Sequence, residues 1–345
     1  MKKIAQVIGS KRLTADVFTV AETVKNLNRR FFFDVIIPKD AEYRDILLGL
    51  GARVITLDAT HEVNAKTILC FKRYFCENPA DIVHTHVSAG ARIGARLAGI
   101  KNCISSRGFN SGEPRPAKWI TSPIYNIFTT ATLCTSESSY DLLVREGVRR
   151  DRILPLLPYG AFGGGKWARE KREEKEILIV CPLPFYKGFG QKTLVRAFSK
   201  MQSKRPSRLV FVGEGPEKEE CRLLAGRLGV GGRVDFRDDV MLTKVYNMKP
   251  TLTVFTQEEG WELPCALLGG ARTSTVASDL PENKDLFSDT CEFYLRGDEF
   301  SLERAMLRSL SDGYAPDRTT EVDFETPLGV ICESHERIYE ALLSL

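Results

Sequence analysis

The chain of 345 residues has no run of about 18 consecutive apolar residues, so no transmembrane helix is expected. It has no Cys-x-x-Cys pair. Its nine cysteines, an odd number, are scattered, which favours buried, reduced thiols of a cytosolic protein over a metal site. No signal-peptide apolar region and cleavage site precede the first strand-like segment, because Met1-Lys2-Lys3-Ile4 runs straight into it. A cytoplasmic location is therefore expected. The basic residues are neither interleaved with aromatics nor gathered in a stripe, which argues against nucleic acid as a partner.

What is present is the composition of a globular protein, 43% hydrophobic and 27% charged, long enough for two domains of ordinary size. The net charge of +4 hides an asymmetry. Residues 1–165 carry 23 Lys and Arg against 15 Asp and Glu, or +8, and the remainder carries 26 against 30, or −4. A basic first half suits anionic lipid head groups or a phosphorylated acceptor, with a chance bias of a solvated surface as the alternative. The first of these would place the chain at the inner face of the membrane.

Short apolar runs alternate with helix-period segments along the whole chain. Strands are expected near 3–8, 33–37, 52–56, 81–85, 102–105 and 131–135, with helices near 14–28, 41–49, 63–77, 88–98, 118–128 and 137–146 between them. The rhythm repeats with strands near 176–181, 208–212, 233–236, 251–256, 273–277 and 291–294. The helices of that half are expected near 189–203, 217–228, 240–248, 263–271 and 299–311. Such alternation predicts an α/β protein with two doubly wound, Rossmann-like parallel sheets in tandem. Gly163-Gly164-Gly165 and the charged run that follows read as a linker. The expected division is 1–162, a linker at 163–175, 176–328, and a terminal helix at 329–345. That helix carries Ile331, Ile338, Leu342 and Leu345 at helical spacing, and it could pack on either domain. Ligands of doubly wound sheets bind beyond the carboxyl ends of the strands, so a cleft between two facing domains is the expected site.

Four stretches carry chemistry. After the apolar strand Thr251–Thr256 comes Glu259-Gly260-Trp261, then Leu263-Pro264 opening a helix. A carboxylate grips polyol hydroxyls, and a helix N-terminus attracts anions. Lys187-Gly188 stands before the helix at 189–203, where a cation and free N–H groups would meet a diphosphate together. Asp81-Ile82-Val83-His84-Thr85-His86 sets two histidines on one strand face, and a buried, hydrogen-bonded histidine is the plainer reading for His84. Gly213-Glu214-Gly215-Pro216 reads as a tight turn with the proline opening the next helix. Ser136 reads as a helix N-cap within Thr135-Ser136-Glu137-Ser138.

In order and spacing these stretches, with Ser278-Asp279 through Asn283 and Asp285, resemble the retaining family 4 glycosyltransferases of GT-B fold. The family's donor motif has a second Glu where this chain has Leu267, and its Arg five residues before the lysine is here Pro182. Arg107 stands where the family has His before Gly-Phe, and the first loop, Gly9-Ser10-Lys11-Arg12, lacks the family's glycine-rich sequence. The resemblance implies transfer of a sugar from a UDP- or GDP-sugar to an acceptor hydroxyl of a surface glycan, lipopolysaccharide or capsule, or a lipid-linked acceptor. It implies no cofactor and no metal. It assigns Lys187, Glu259 and Arg107 to catalysis, Gly188, Gly260, Trp261 and Leu263 to the donor, and Gly9 and His86 to the acceptor side. The departures leave open a transferase-like scaffold with impaired catalysis, and a nucleotide-sugar epimerase is a third reading.

Overall fold

The computed structural model describes residues 1–11, 15–48, 50–59, 63–86, 88–106, 118–134, 137–156, 177–237, 248, 250–258, 274–287, 291–311 and 325–344. The chain forms two units, Met1–Pro158 with Leu328–Leu345, and Tyr159–Pro327.

The first unit holds a seven-stranded sheet in the order β3-β2-β1-β4-β5-β6-β7. Its strands are β1 Lys2–Ile8, β2 Phe31–Pro38, β3 Arg53–Leu57, β4 Ile82–His86, β5 Asn102–Ser106, β6 Ala131–Cys134 and β7 Ile153–Pro155. All pair in parallel. Between them lie α1 Ala15–Leu27, α2 Arg44–Leu47, α3 Ala65–Glu77, α4 Ala89–Leu97, α5 Lys118–Phe128 and α6 Glu137–Arg145. Covered on both faces, the strands read as near-continuous apolar runs, as in Phe31-Phe32-Phe33-Asp34-Val35-Ile36-Ile37. The exception, Asp34, is fully buried and accepts from Arg53 at 2.8 and 2.7 Å, with Lys3 at 3.0 Å. Burial works to raise its pKa, but the Arg53 and Lys3 partners outweigh it and hold the carboxyl below its ordinary range. Asn64 caps α3 by accepting from Thr67 N at 2.8 Å. α3 and α4 touch because Gly94 has no side chain: a Cβ there would lie 2.7 Å from Phe71 Cβ.

The second unit holds a six-stranded parallel sheet in the order β10-β9-β8-β11-β12-β13. Its strands are β8 Ile177–Cys181, β9 Ser207–Val212, β10 Val234–Arg237, β11 Leu252–Phe255, β12 Ser274–Ser278 and β13 Cys291–Tyr294. Its helices are α7 Gln191–Gln202, α8 Lys218–Arg227, α9 Pro281–Phe287 and α10 Glu299–Ser311. In both sheets the order reverses once, between β1 and β4 and between β8 and β11. These are the switch points where ligands of doubly wound sheets bind.

The expected strands are all found where the residues are described. β7 and α9 were not anticipated, and α2 is four residues long where nine were expected. The expected helix at 263–271, the linker at 163–175 and nearly all of 240–248 lie outside the described residues. The last helix, α11 Glu325–Leu343, begins earlier than anticipated and belongs to the first unit. Its buried face is Cys332, His335, Tyr339 and Leu342, while Ile338 is only half-buried. Of the residues expected on its apolar face, Leu342 is thus buried, and the side chains of Ile331 and Leu345 lie outside the described ones. Thiol burial holds for Cys103, Cys134, Cys181, Cys221 and Cys332 but fails at Cys76, which is exposed on α3. Among the described residues no helix is long and apolar enough to cross a membrane.

Candidate functional site

At the switch point of the second unit, β8 runs into Pro182-Leu183-Pro184-Phe185, all buried. Phe185 packs against the rings of Phe211 and Phe236, with centroids 5.3 and 5.8 Å away. Phe185 N donates to Glu214 O at 2.8 Å, and Phe185 O accepts from Glu217 N at 3.0 Å. This lacing explains the Gly-x-Gly-Pro turn. A Cβ on Gly213 would stand 2.6 Å from Leu183 O, and one on Gly215 would stand 2.4 Å from Phe185 O. Only glycine lets the two backbones approach so closely.

The chain then turns through Tyr186, Lys187 and Gly188 into α7. Gly188 has φ of +89°, and Gly190, the N-cap, has φ of +65°. A Cβ on Gly190 would meet Thr256 O at 2.3 Å. Because the cap is a glycine, no cap side chain accepts from the first turn of α7, and free N–H groups at a helix N-terminus attract anions in general. Lys187 is exposed beside them, and no carboxylate among the described residues pairs with it. Lys192, one residue into the helix, is by contrast neutralised by Glu217 at 3.0 Å and Glu220 at 2.5 Å.

β11 reaches the same place. Glu258 N donates to Gly188 O at 2.7 Å, and Thr256 Oγ1 donates to Phe189 O at 2.6 Å. Behind them Gln257 Nε2 donates to Asn283 Oδ1 at 3.0 Å, and Ser278 Oγ donates to Gln257 O at 2.5 Å. Asn283 Nδ2 closes the circuit on Ser278 O and Oγ, both at 3.0 Å. So Ser278 and Asn283, recognised in the sequence only as a motif, clamp the strand end that leads to Glu259. Pro182, buried, brings no charge to this place. Glu259, Gly260, Trp261, Leu263 and Leu267 lie outside the described residues, as do Arg107, Thr135 and Ser136.

At the switch point of the first unit the register sets Ile8 beside His86, and Gly9 N donates to His86 O at 3.0 Å. Gly9 and His86 are thus brought together. The His86 ring is buried, with Nε2 2.9 Å from Gln6 Oε1 and Nδ1 3.4 Å from Asp16 Oδ1. His84 is fully buried between Tyr339 Oη at 2.8 Å and Ser106 Oγ at 2.7 Å, and Gln6 Nε2 donates to the same Tyr339 oxygen at 2.8 Å. A neutral imidazole satisfies both neighbours by accepting from the Tyr339 hydroxyl and donating to Ser106. Burial, reinforced by the adjacent His86 and His335, holds His84 well below its ordinary value near 6.5. Sequence reading missed Gln6, Asp16 and Tyr339. The available signal was His335 and Tyr339 at i, i+4 on one face of the last helix. Among the described residues, no group of three His, Cys, Asp or Glu gathers as metal ligands.

No family model matches the chain, and no curated protein matches it in sequence. Solved structures do match in shape. HepE of Anabaena, in complex with UDP and glucose, superposes with a TM-score of 0.72 over 100% of both chains at 13% identity. The fold is GT-B-like. A glycosyltransferase from Rickettsia africae ESF-5 gives 0.71 at 14% identity, covering 99% of this chain and 98% of that one. A putative UDP-N-acetylglucosamine 2-epimerase from Listeria monocytogenes gives 0.64 at 14% identity, covering 98% of this chain and 95% of its own. Sugar transferases and an epimerase thus share this GT-B-like architecture, so function has to be argued from the site.

Proposed function

We propose that the chain is a retaining glycosyltransferase that moves a sugar from a nucleotide diphosphate donor, UDP or GDP, to an acceptor hydroxyl in surface-glycan synthesis. The observation that carries this reading is the turn at Lys187–Gly190. The turn that carries Lys187, a lysine with no carboxylate partner among the described residues, runs into a glycine-capped helix N-terminus, and Gly188 and Phe189 hydrogen-bond it to the strand end that precedes Glu259 at a switch point. That combination suits a diphosphate on one side and sugar hydroxyls on the other.

In the reaction the bond from the anomeric carbon to the diphosphate oxygen breaks, a bond to the acceptor oxygen forms, and the acceptor's hydroxyl proton passes to the departing diphosphate. Negative charge grows on the departing diphosphate. Lys187 and the first N–H groups of α7 take that charge, and electrostatic support of this kind contributes on the order of 10²–10³ in rate per donor. Glu259 holds the donor sugar's hydroxyls, with Gly188, Gly260, Trp261 and Leu263 around it. Arg107 adds positive charge, and Gly9 forms the acceptor side, held by the backbone carbonyl of His86, whose ring stays buried against Gln6 and Asp16. The buried Pro182 favours a second reading, a scaffold with impaired catalysis, since it leaves the diphosphate one cation fewer. Likeness to the epimerase supports a third, turnover of the donor without transfer.

The test is thermal unfolding with UDP, GDP, ADP and CMP at millimolar concentration. A nucleotide at about 100 times its dissociation constant stabilises by about 2.7 kcal/mol. A rise with one nucleotide that is lost in Lys187→Ala supports the donor site. Transfer of labelled sugar to an acceptor then separates transferase from epimerase, and no rise with any nucleotide favours the scaffold.

A further inference from the structure

Most cations of the first unit that lie near the amino ends of β1 to β4 have carboxylate partners: Lys2 pairs with Asp81, Lys3 and Arg53 with Asp34, and Arg30 with Glu336 and Glu340. The corner where β5, β6 and β7 begin is different. Arg96 at the end of α4, Lys101 before β5, and Arg150 and Arg152 in the turn before β7 have no carboxylate partner among the described residues. Arg149 pairs with Asp151 at 2.6 Å, and Asp151 is the one acid of that turn.

Hydrogen bonds hold these residues in one surface through the end of α5. Arg96 Nη2 donates to Thr130 Oγ1 at 3.1 Å, and that hydroxyl donates to Lys101 O at 3.1 Å. Arg152 donates to Asn126 O and, at 2.9 Å, to Thr129 O, while Arg149 N donates to Asn126 Oδ1 at 3.1 Å. At the ends of the two helices that carry this frame, Leu97 follows Arg96 and Ile127 follows Asn126, large apolar side chains at 52% and 64% exposure. Lys101 and Arg150 are exposed, while Arg96 and Arg152 are half-buried and spend donors on the frame. Exposed aliphatic side chains flanked by cations without carboxylate partners match a lipid interface, where the methyl groups enter the acyl boundary and the cations meet the head groups. An oligonucleotide would call for aromatic stacking platforms, and the described part of this corner presents none.

We propose that this corner, Leu97 and Ile127 framed by Arg96, Lys101, Arg150 and Arg152, docks the protein on an anionic membrane surface. The proposal does not rest on the donor reading. It also has a geometric consequence. The corner lies at the amino ends of the strands, so docking leaves the carboxyl ends, with Gly9 and His86, uncovered.

The test is co-sedimentation with vesicles of phosphatidylcholine alone and of phosphatidylcholine with about one-third phosphatidylglycerol, at about 0.1 M salt, where the Debye length is about 10 Å. Binding is expected to the anionic vesicles and not to the neutral ones, and to fall as salt rises. Each charge near such a surface is worth about fivefold in partition, so Lys101→Glu with Arg150→Glu, a change of four charges, weakens binding several hundredfold. Ile127→Ser weakens it about tenfold or more. All three positions are exposed, so the variants should unfold at the wild-type temperature, and their nucleotide-induced shift should match that of the wild type. Equal binding to both vesicles, or binding indifferent to the charge reversals, overturns the proposal. So does retention on a single-stranded oligonucleotide without retention on vesicles.

Discussion

The two sheets of this protein finish their central strands in opposite ways. At the β1/β4 switch point, Gln6, His84, His86 and Tyr339 are buried and, with the half-buried Ser106, spend their hydrogen bonds on one another. At the β8/β11 switch point the donors are backbone N–H groups behind a glycine cap, and the nearby lysine is exposed, with no carboxylate partner among the described residues. A polar cluster saturated by its own protein acts as a clasp. One left open by its own protein is arranged for something else. Topology alone makes the two places equivalent, and satisfaction of the polar groups tells them apart.

The comparison can be broken most severely at the clasp. Tyr339→Ala removes a buried ring, its edge contact with Phe31 at 5.7 Å and a shared hydrogen-bond partner, and should cost about 3–5 kcal/mol in denaturant unfolding of the first unit. Gly190→Ala strikes the open site through its backbone. The new Cβ meets Thr256 O and must sit at positive φ, so about 2–4 kcal/mol of destabilisation of the second unit and loss of the nucleotide-induced shift are expected. Tyr339→Phe keeps the ring but leaves His84 and Gln6 each short of a partner, for about 1–3 kcal/mol.

Acid sharpens the comparison further. The folded state holds His84 neutral, whereas the unfolded chain takes up a proton near pH 6.5. The unfolded state therefore binds more protons below that value, and stability should fall as pH drops from about 6.5 with a slope of up to about 1.4 kcal/mol per unit. Above it the term is fully present. Unfolding of the first unit followed from pH 7.5 down to 5 measures this, and His84→Gln should flatten the curve. The mildest perturbation is Lys187→Ala. Exposed and unpaired, the side chain should change stability by less than about 0.5 kcal/mol while the nucleotide-induced shift disappears. Unchanged nucleotide binding in that variant would remove the contrast between the two ends.

Legibility in the sequence followed the same division. Strands such as Phe31–Pro38 and Ile177–Cys181 announce themselves because a parallel sheet covered on both faces needs continuous apolar runs. β7 is three residues ending in proline and offers no period to detect. α9 begins at Pro281, in a stretch that resembles the loop after the family's donor motif and turns out to be a short helix anchored by Asn283. At the site, Lys187 and Gly188 are readable because a local motif makes the turn. Gln6, Asp16 and Tyr339 are far apart in the chain, and only the folded register between β1, β4 and α11 brings them to His84 and His86. Position along a chain does not encode such a meeting. The terminal helix shows the same limit, since its apolar spacing marks Leu342 but not His335 and Tyr339, which share its buried face.

The first unit is built from two separated stretches, and the second stretch is made last. During synthesis residues 1–158 emerge first, followed by the whole of the second unit, and residues 328–345 arrive after both. Until then Gln6 and His84 have no tyrosine to meet, and the groove that α11 will fill is open to other chains. Domains commonly mature in the order of their translation. Here the order is inverted: the unit that begins first is completed only after the second unit has been made, and its folding reports that the ribosome has passed α11.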